Sequence, residues 1–171
     1  MLNKQNKLWR GRFFRYAPLI LWIGVIFIAS SNTGSMSNTS RIIRPLLEFL
    51  FPNTPEEILV VYHGYIRKCA HFAEYFGLAF FAARAFSGSS NKTLRKFWFI
   101  FAMVLIAIVA TADETNQSFL ASRTSSVYDV LLDCSGGLTM ILLFALIRKY
   151  LKGRNASSNE RIKDLRLKSL D

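Results

Sequence analysis

Titratable side chains occur inside the apolar stretches of this sequence, where an ionised group is costly. Arg67, His71 and Glu74 fall at positions i, i+4 and i+7, a spacing that places all three on one face of a helix. Asp113 and Glu114 follow at the end of a later apolar stretch. Carboxylates grouped with one imidazole are typical of acid–base catalysis and of divalent metal binding. His71, Glu74 and Asp113 are therefore candidate catalytic residues.

A second pair of carboxylates, Asp129 and Asp133, lies at positions i and i+4 at the start of the last apolar stretch. If the helices that carry these groups pack together, the polar side chains meet at one level. The predicted ligand-binding residues are Arg67, His71, Glu74, Asp113, Glu114, Gln117, Arg123 and Asp129. A divalent metal held by His71, Glu74 and two aspartates is an alternative, but an H-x-x-E spacing alone assigns no metal ligand. The role of Asp133 stays open.

The composition favours a membrane protein. Of the 171 residues 51% are hydrophobic, and the mean hydropathy of +0.24 is high for a soluble domain of this size. A helix needs roughly 20 mostly apolar residues to cross about 30 Å of hydrocarbon. Four stretches meet this need, at residues 13–30, 66–86, 97–117 and 126–147. We predict an all-α membrane protein that forms a bundle of four transmembrane helices.

The net charge of +11 would by itself indicate a nucleic-acid partner, but the distribution of the bases argues against one. Seventeen of the 22 lysines and arginines fall near the N-terminus, at the end of the second span and in the loop after it, or after the fourth span. Loops rich in Lys and Arg stay on the cytoplasmic side of a membrane. We predict that both ends are cytoplasmic, with a basic N-terminus at residues 1–12, a transmembrane domain at 13–147 and a basic tail at 148–171.

Between the first and second spans the sequence predicts a short amphipathic segment outside the cytoplasm, over residues 41–51. A new helix then begins with Thr54 as its N-cap and Pro55 as its first residue. If it runs unbroken to Phe86, this helix is about 48 Å long. It therefore either projects its first turns beyond the hydrocarbon or bends near Gly64.

Structural explanations compete with functional ones at several positions. Residues 13–30 have the form of a secretory signal peptide as well as that of a retained helix. Asp129 has the position of the acidic partner of Ser126 in a capping box. His71 is equally suited to a hydrogen bond between helices. Lys68 suits a side chain that extends to the membrane surface.

The helix dipole adds one expectation about charge. Asp113 and Glu114 fall in the last turns of the third span, at the negative end of the dipole, where carboxylates are disfavoured. We expect a positive group opposite them, supplied by Arg123 or Arg67.

Taken together, these motifs resemble those of the VanZ-like membrane proteins. The matching residues are the run Arg67-Lys68-Cys69-Ala70-His71-Phe72-Ala73-Glu74-Tyr75, the run Asp113-Glu114-Thr115-Asn116-Gln117-Ser118-Phe119, and Arg123, Asp129 and Gly136. The likeness covers roughly residues 30–147, and the combination is far more specific than any one part. At Asp133 the chain departs from the Asn that is usual in the family.

The resemblance implies a multi-pass protein of the bacterial cytoplasmic membrane, surrounded by lipid, in a family whose founding member is linked to resistance to the glycopeptide teicoplanin. The first expectation is binding of a cell-wall precursor or lipoglycopeptide at the outer face, with a contribution to teicoplanin tolerance. The second is a membrane-embedded enzyme, acid–base or metal-dependent, with a lipid-linked substrate. The third is proton-linked transport along His71 and the buried acids. The sequence leaves open whether the protein is an enzyme and which oligomer it forms, and it assigns no cofactor beyond the divalent metal considered above.

Overall fold

A computed structural model describes residues 2–31, 36–118 and 126–168 of the chain. Within these residues the helices are α1 (Leu2–Ala29), α2 (Met36–Leu50), α3 (Glu56–Ser87), α4 (Lys92–Lys96), α5 (Trp98–Ser118) and α6 (Val127–Lys168). The described part of the chain contains no β-strand. The prediction of an all-α protein is confirmed.

Three of these helices are long and apolar enough to cross a membrane: Gly11–Ala29 within α1, all of α5, and Val127–Asn155 within α6. They coincide with the first, third and fourth predicted spans. Their outward faces carry large apolar side chains, and Leu21, Ile108 and Leu146 are each 60–70% exposed. An apolar surface of this extent suits lipid rather than water. The fold is therefore that of a membrane protein.

The second predicted span lies in α3, which is less apolar because it carries Arg67, Lys68, His71 and Glu74. It is nevertheless the central helix, since it contacts each of the other five described helices. Its fully buried alanines are Ala79, Ala82, Ala83 and Ala85. Small side chains let helix backbones approach closely in a membrane bundle. The count of four spans stays a prediction that depends on α3.

The course of α3 bears on two of the predictions about its start. It is one unbroken helix of 32 residues, or about 48 Å at 1.5 Å per residue. This length favours first turns that project beyond the hydrocarbon over a bend near Gly64. The predicted N-cap, Thr54, is wrong by one residue. Pro55 is the N-cap because it keeps an extended ψ of 145°, so that helical geometry begins only at Glu56.

α1 packs along α3 through contacts made by its second half. The indole N–H of Trp22 donates to the backbone carbonyl of Glu74 at 2.9 Å. Gly77 faces the same indole, and a β-carbon there would lie 2.6 Å from the ring. Six residues earlier in α1, the hydroxyl of Tyr16 donates to Oγ of Ser89, two residues after the end of α3, at 3.1 Å. These contacts fix the position of α1 along its neighbour.

α2 confirms the predicted amphipathic segment, although the helix begins earlier than expected, at Met36. Leu47 is buried, whereas Ile42 and Phe49 are 77% and 82% exposed. Arg44 links α2 to α3 through an ion pair of 2.8 Å with Glu56. The side of the membrane on which α2 lies stays a prediction.

α6 continues well past the predicted end of the fourth span. It runs for 42 residues without interruption and includes most of the basic tail predicted at residues 148–171. The boundary at residue 147 is therefore no break in secondary structure, and the cytoplasmic position of the tail stays a prediction.

Candidate functional site

Three side chains from three helices meet inside the bundle. His71 comes from α3, Asp113 from α5 and Asp133 from α6, and each offers one donor atom within 4.8 Å of the other two. Asp113 and Asp133 are 0% and 1% exposed, and the side chain of His71 is 17% exposed. We refer to these three residues as the His–Asp–Asp cluster. It forms where the central helix, α3, meets α5 and α6.

The carboxylate of Asp113 is held by one of its two oxygens. The hydroxyl of Tyr75 donates to Oδ2 at 3.3 Å, and Nε2 of Gln117 donates to the same oxygen at 3.0 Å. Gln117 also donates to Oγ of Ser30, at the end of α1, at 3.1 Å. Because both donors reach Oδ2, the orientation of the carboxylate is fixed while Oδ1 is left for another partner.

Several polar atoms of the cluster lack a hydrogen-bond partner. Nδ1 of His71 lies 3.5 Å from Oδ1 of Asp133, which is close enough for an ion pair but outside hydrogen-bond geometry. Among the described residues no donor reaches either carboxylate oxygen of Asp133 or Oδ1 of Asp113. Buried polar groups in proteins are nearly always satisfied. The unpartnered atoms of all three residues therefore mark a place for a positive or proton-donating group.

The close packing of α3 on α6 brings two members of the cluster together. A β-carbon at Gly136 would meet the backbone of Phe72, with the carbonyl carbon only 3.2 Å away. Phe72 follows His71 in the chain, and Gly136 lies one turn after Asp133. Only glycine at this position permits the helix approach that places the imidazole beside the carboxylate.

Glu114 has a structural partner of a kind that was not expected. Its Oε1 accepts from the backbone N–H of Ser126 at 2.6 Å, at the start of α6. Oγ of Ser126 in turn accepts from the N–H of Tyr128 at 3.2 Å. The serine half of the predicted capping box is thus present, but Glu114 of α5 occupies the place predicted for Asp129. The positive end of the α6 dipole therefore faces this carboxylate.

The remaining predicted site residues do not belong to the His–Asp–Asp cluster. Arg67 and Asp129 are half-buried, and neither belongs to the group of converging donor atoms. Glu74 is also half-buried and outside that group, although its backbone carbonyl receives the Trp22 indole. Arg123 lies outside the described residues.

Three residues of the site were missing from the predicted set. Asp133 was recognised as a buried acid but was not given a role, and it proves to be one of the three converging groups. Tyr75 lies one helical turn after His71 on the same face, so helix periodicity alone indicated it. Ser30 comes from a distant part of the chain, and no sequence signal connected it with Gln117.

The fold and the site together define a class: an all-α membrane protein whose apolar helices surround a buried cluster of one histidine and two aspartates. The VanZ/LLP1 family model matches residues 15–148, and the chain belongs to that family. The expected resemblance is confirmed, and the matched region includes every residue of the cluster. No curated protein and no solved structure matches the chain.

Proposed function

We propose that this protein crosses the bacterial cytoplasmic membrane four times and binds the polar head of an amphiphile at the outer face. The observation that carries the proposal is the His–Asp–Asp cluster. Two carboxylates buried among membrane helices are costly unless a polar partner enters. The cluster lies near the last turn of α5 and the first turns of α6, at one end of the bundle. In the proposed topology this end faces outward.

A cell-wall precursor or a lipoglycopeptide suits such a site. The apolar tail would lie along the exposed faces of α5 and α6, and the head would reach the polar cluster from the membrane surface. Arg67, one turn before His71 in α3, would attract an anionic head. We assign the same role to Arg123. Binding of this kind would lower the exposure of wall precursors to teicoplanin and thereby raise tolerance.

The topology is tested by reporter fusions. A cytoplasm-active reporter fused after Asp171 is expected to be active, and the same reporter inserted after Ser37 is expected to be inactive. The reason is that 17 of the 22 bases fall in the segments assigned to the cytoplasm or in the helix ends next to them. A C-terminal fusion that is active only outside the cytoplasm would overturn the orientation.

The function is tested by complementing a deletion strain. Wild-type protein is expected to restore teicoplanin tolerance, and His71→Ala or Asp113→Asn is expected to fail at equal membrane abundance. Glu57→Gln is the matched control, because Glu57 is an exposed acid in the first turn of α3. Susceptibility that does not change on deletion or on overexpression would refute a role in tolerance.

A membrane-embedded enzyme with a lipid-linked substrate is the second candidate. One observation favours it: the three donor atoms within 4.8 Å of one another suit a metal ion, and three protein ligands are typical of catalytic metal sites. Purified protein incubated with lipid-linked pyrophosphates is expected to release product only if His71, Asp113 and Asp133 are intact. Equal turnover by Asp133→Asn protein would exclude this candidate.

A further inference from the structure

We infer that His71, Asp113 and Asp133 bind one divalent transition-metal ion, such as Mn²⁺ or Zn²⁺. The three residues belong to different helices, so the ion would join α3, α5 and α6 at a single point. Glu74, which the sequence placed beside His71, is not among the ligands. The inference deepens the proposed function, because the ion would supply the positive charge that an anionic head group needs in an acidic site.

Charge is the first argument for an ion. Both aspartates are almost fully buried, and in their ionised forms they would bring two negative charges into the bundle. A divalent cation with a neutral imidazole would bring the net charge of the cluster to zero. Among the described residues no lysine or arginine forms an ion pair with either aspartate. A cation in the cluster would offset the cost of burying two carboxylates side by side with three of their four oxygens lacking a hydrogen bond.

Orientation is the second argument. Tyr75 and Gln117 both donate to Oδ2 of Asp113, which leaves Oδ1 buried, fixed and without a partner. Hydrogen bonds of this kind orient the ligands of metal sites in proteins. Nδ1 of His71 and both oxygens of Asp133 are unpartnered in the same space. The unpartnered atoms of the cluster are therefore the atoms that a metal would use.

Donor chemistry and spacing select the kind of metal. Ligand atoms about 2.0–2.2 Å from an ion lie roughly 3–4 Å from one another. The three ligand atoms of the cluster lie within 4.8 Å of one another, so they need to move only slightly closer to bind an ion. The imidazole suits Zn²⁺, and the two carboxylates also suit Mn²⁺, whereas Ca²⁺ and Mg²⁺ prefer sites made of oxygen ligands alone. With three protein ligands the ion keeps open positions, which water or a phosphate oxygen of a head group would fill.

The test is metal retention by the full-length protein in detergent. The protein is stripped with EDTA, exposed to Mn²⁺, Zn²⁺ or Mg²⁺, desalted, and analysed by elemental mass spectrometry. We expect about one Mn²⁺ or Zn²⁺ per chain and little Mg²⁺. His71→Ala, Asp113→Asn and Asp133→Asn are expected to lower metal affinity about tenfold or more. Glu57→Gln, which removes an exposed acid of α3, is expected to retain the ion.

Two outcomes would overturn the site. The first is wild-type protein that retains no ion, and the second is equal retention by wild type and the aspartate variants. Circular dichroism and size-exclusion chromatography show whether each variant is folded. If the asparagine variants do not fold, Co²⁺ added to wild type decides the question. Retention of about one Co²⁺ per chain after desalting, with displacement by Zn²⁺, supports the site, and retention of none refutes it.

Retention on purified protein is independent of teicoplanin susceptibility. Unchanged susceptibility with a bound ion would remove the proposed function and leave the metal site. Failure to bind metal, with tolerance still dependent on Asp113, would remove the metal site and leave head-group binding.

Discussion

The backbone carbonyl of Phe72 occupies the space that a side chain at Gly136 would fill. The carbonyl carbon and Cα of Phe72 are each 3.2 Å from the position of that missing β-carbon. Helix α6 therefore lies directly on the backbone of α3. Because of this contact, Nδ1 of the neighbouring His71 lies 3.5 Å from Oδ1 of Asp133.

The first prediction concerns this contact. Gly136→Ala is expected to push α6 away from α3 and to destabilise the protein by about 1–3 kcal/mol, the usual cost of overpacking. Thermal unfolding in detergent measures the change. Gly153→Ala is the control in the same helix, because nothing lies within 4 Å of a β-carbon there. The control is expected to be neutral or stabilising by up to about 1 kcal/mol. Equal melting temperatures for the two variants would contradict the close contact.

Much of this architecture was predictable from sequence. Long apolar runs specify helices at α1, α5 and α6, since hydropathy over about 20 residues is a strong signal. The amphipathic α2 followed from its pattern of apolar and charged residues. α3 was harder because Arg67, Lys68, His71 and Glu74 lower the hydropathy that identifies a span. Of these four residues, only His71 belongs to the cluster.

The candidate site was predicted in part. His71 and Asp113 were identified because buried titratable groups stand out in apolar helices, and the structure brings them together. Whether Glu74 or Asp133 lies beside His71 and Asp113 depends on how α3 and α6 are rotated about their axes. That rotation is set by the Gly136 contact and by Trp22 on Gly77, neither of which is visible in a local pattern. Glu114 was predicted to bind the ligand, which stays a prediction, and its hydrogen bond to the N–H of Ser126 just before α6 was not indicated by any local pattern.

The second prediction concerns Glu114 as a cap. Glu114→Ala removes the acceptor for the N–H of Ser126 and is expected to cost about 1 kcal/mol of stability, as the loss of an N-cap does. Glu114→Gln keeps an acceptor oxygen and is expected to lose less than half of that. Hydrogen exchange of the first turn of α6 is expected to rise in the alanine variant. Exchange in that turn equal to wild type would show that Glu114 does not act as a cap.

The third prediction concerns the support of Asp113. Tyr75→Phe removes the hydroxyl that donates to Oδ2 of Asp113 but keeps the buried ring. The variant is expected to lose about 1 kcal/mol of stability, the typical value of one hydrogen bond. Its affinity for Mn²⁺ or Zn²⁺ is expected to fall about tenfold. Tyr128→Phe is the control, since Tyr128 is 80% exposed. Equal metal affinity in the two variants would remove Tyr75 from the site.

The last prediction concerns pH and the attachment of α2. His63 is buried at 4% exposure, and its ring nitrogens lie 3.1 Å from Oγ1 of Thr39 and 3.4 Å from Oγ of Ser40. Burial, and then the positive charge of Arg67, lower the pKa of His63 below its ordinary value of 6.5. The neutral ring is therefore the form that the folded protein favours.

As the pH falls through 6.5, the freed histidine takes up a proton before the docked one does, so the docked state loses stability. The stabilisation is complete above that pH and declines toward the lower pKa of the docked histidine. Hydrogen exchange in α2 is expected to be faster at about pH 5.5 than at about pH 7.5, after correction for intrinsic rates. In His63→Gln, which keeps a polar side chain but cannot titrate, the difference is expected to vanish. If the variant retains the same pH dependence, the titrating group is another residue and His63 does not control the attachment of α2.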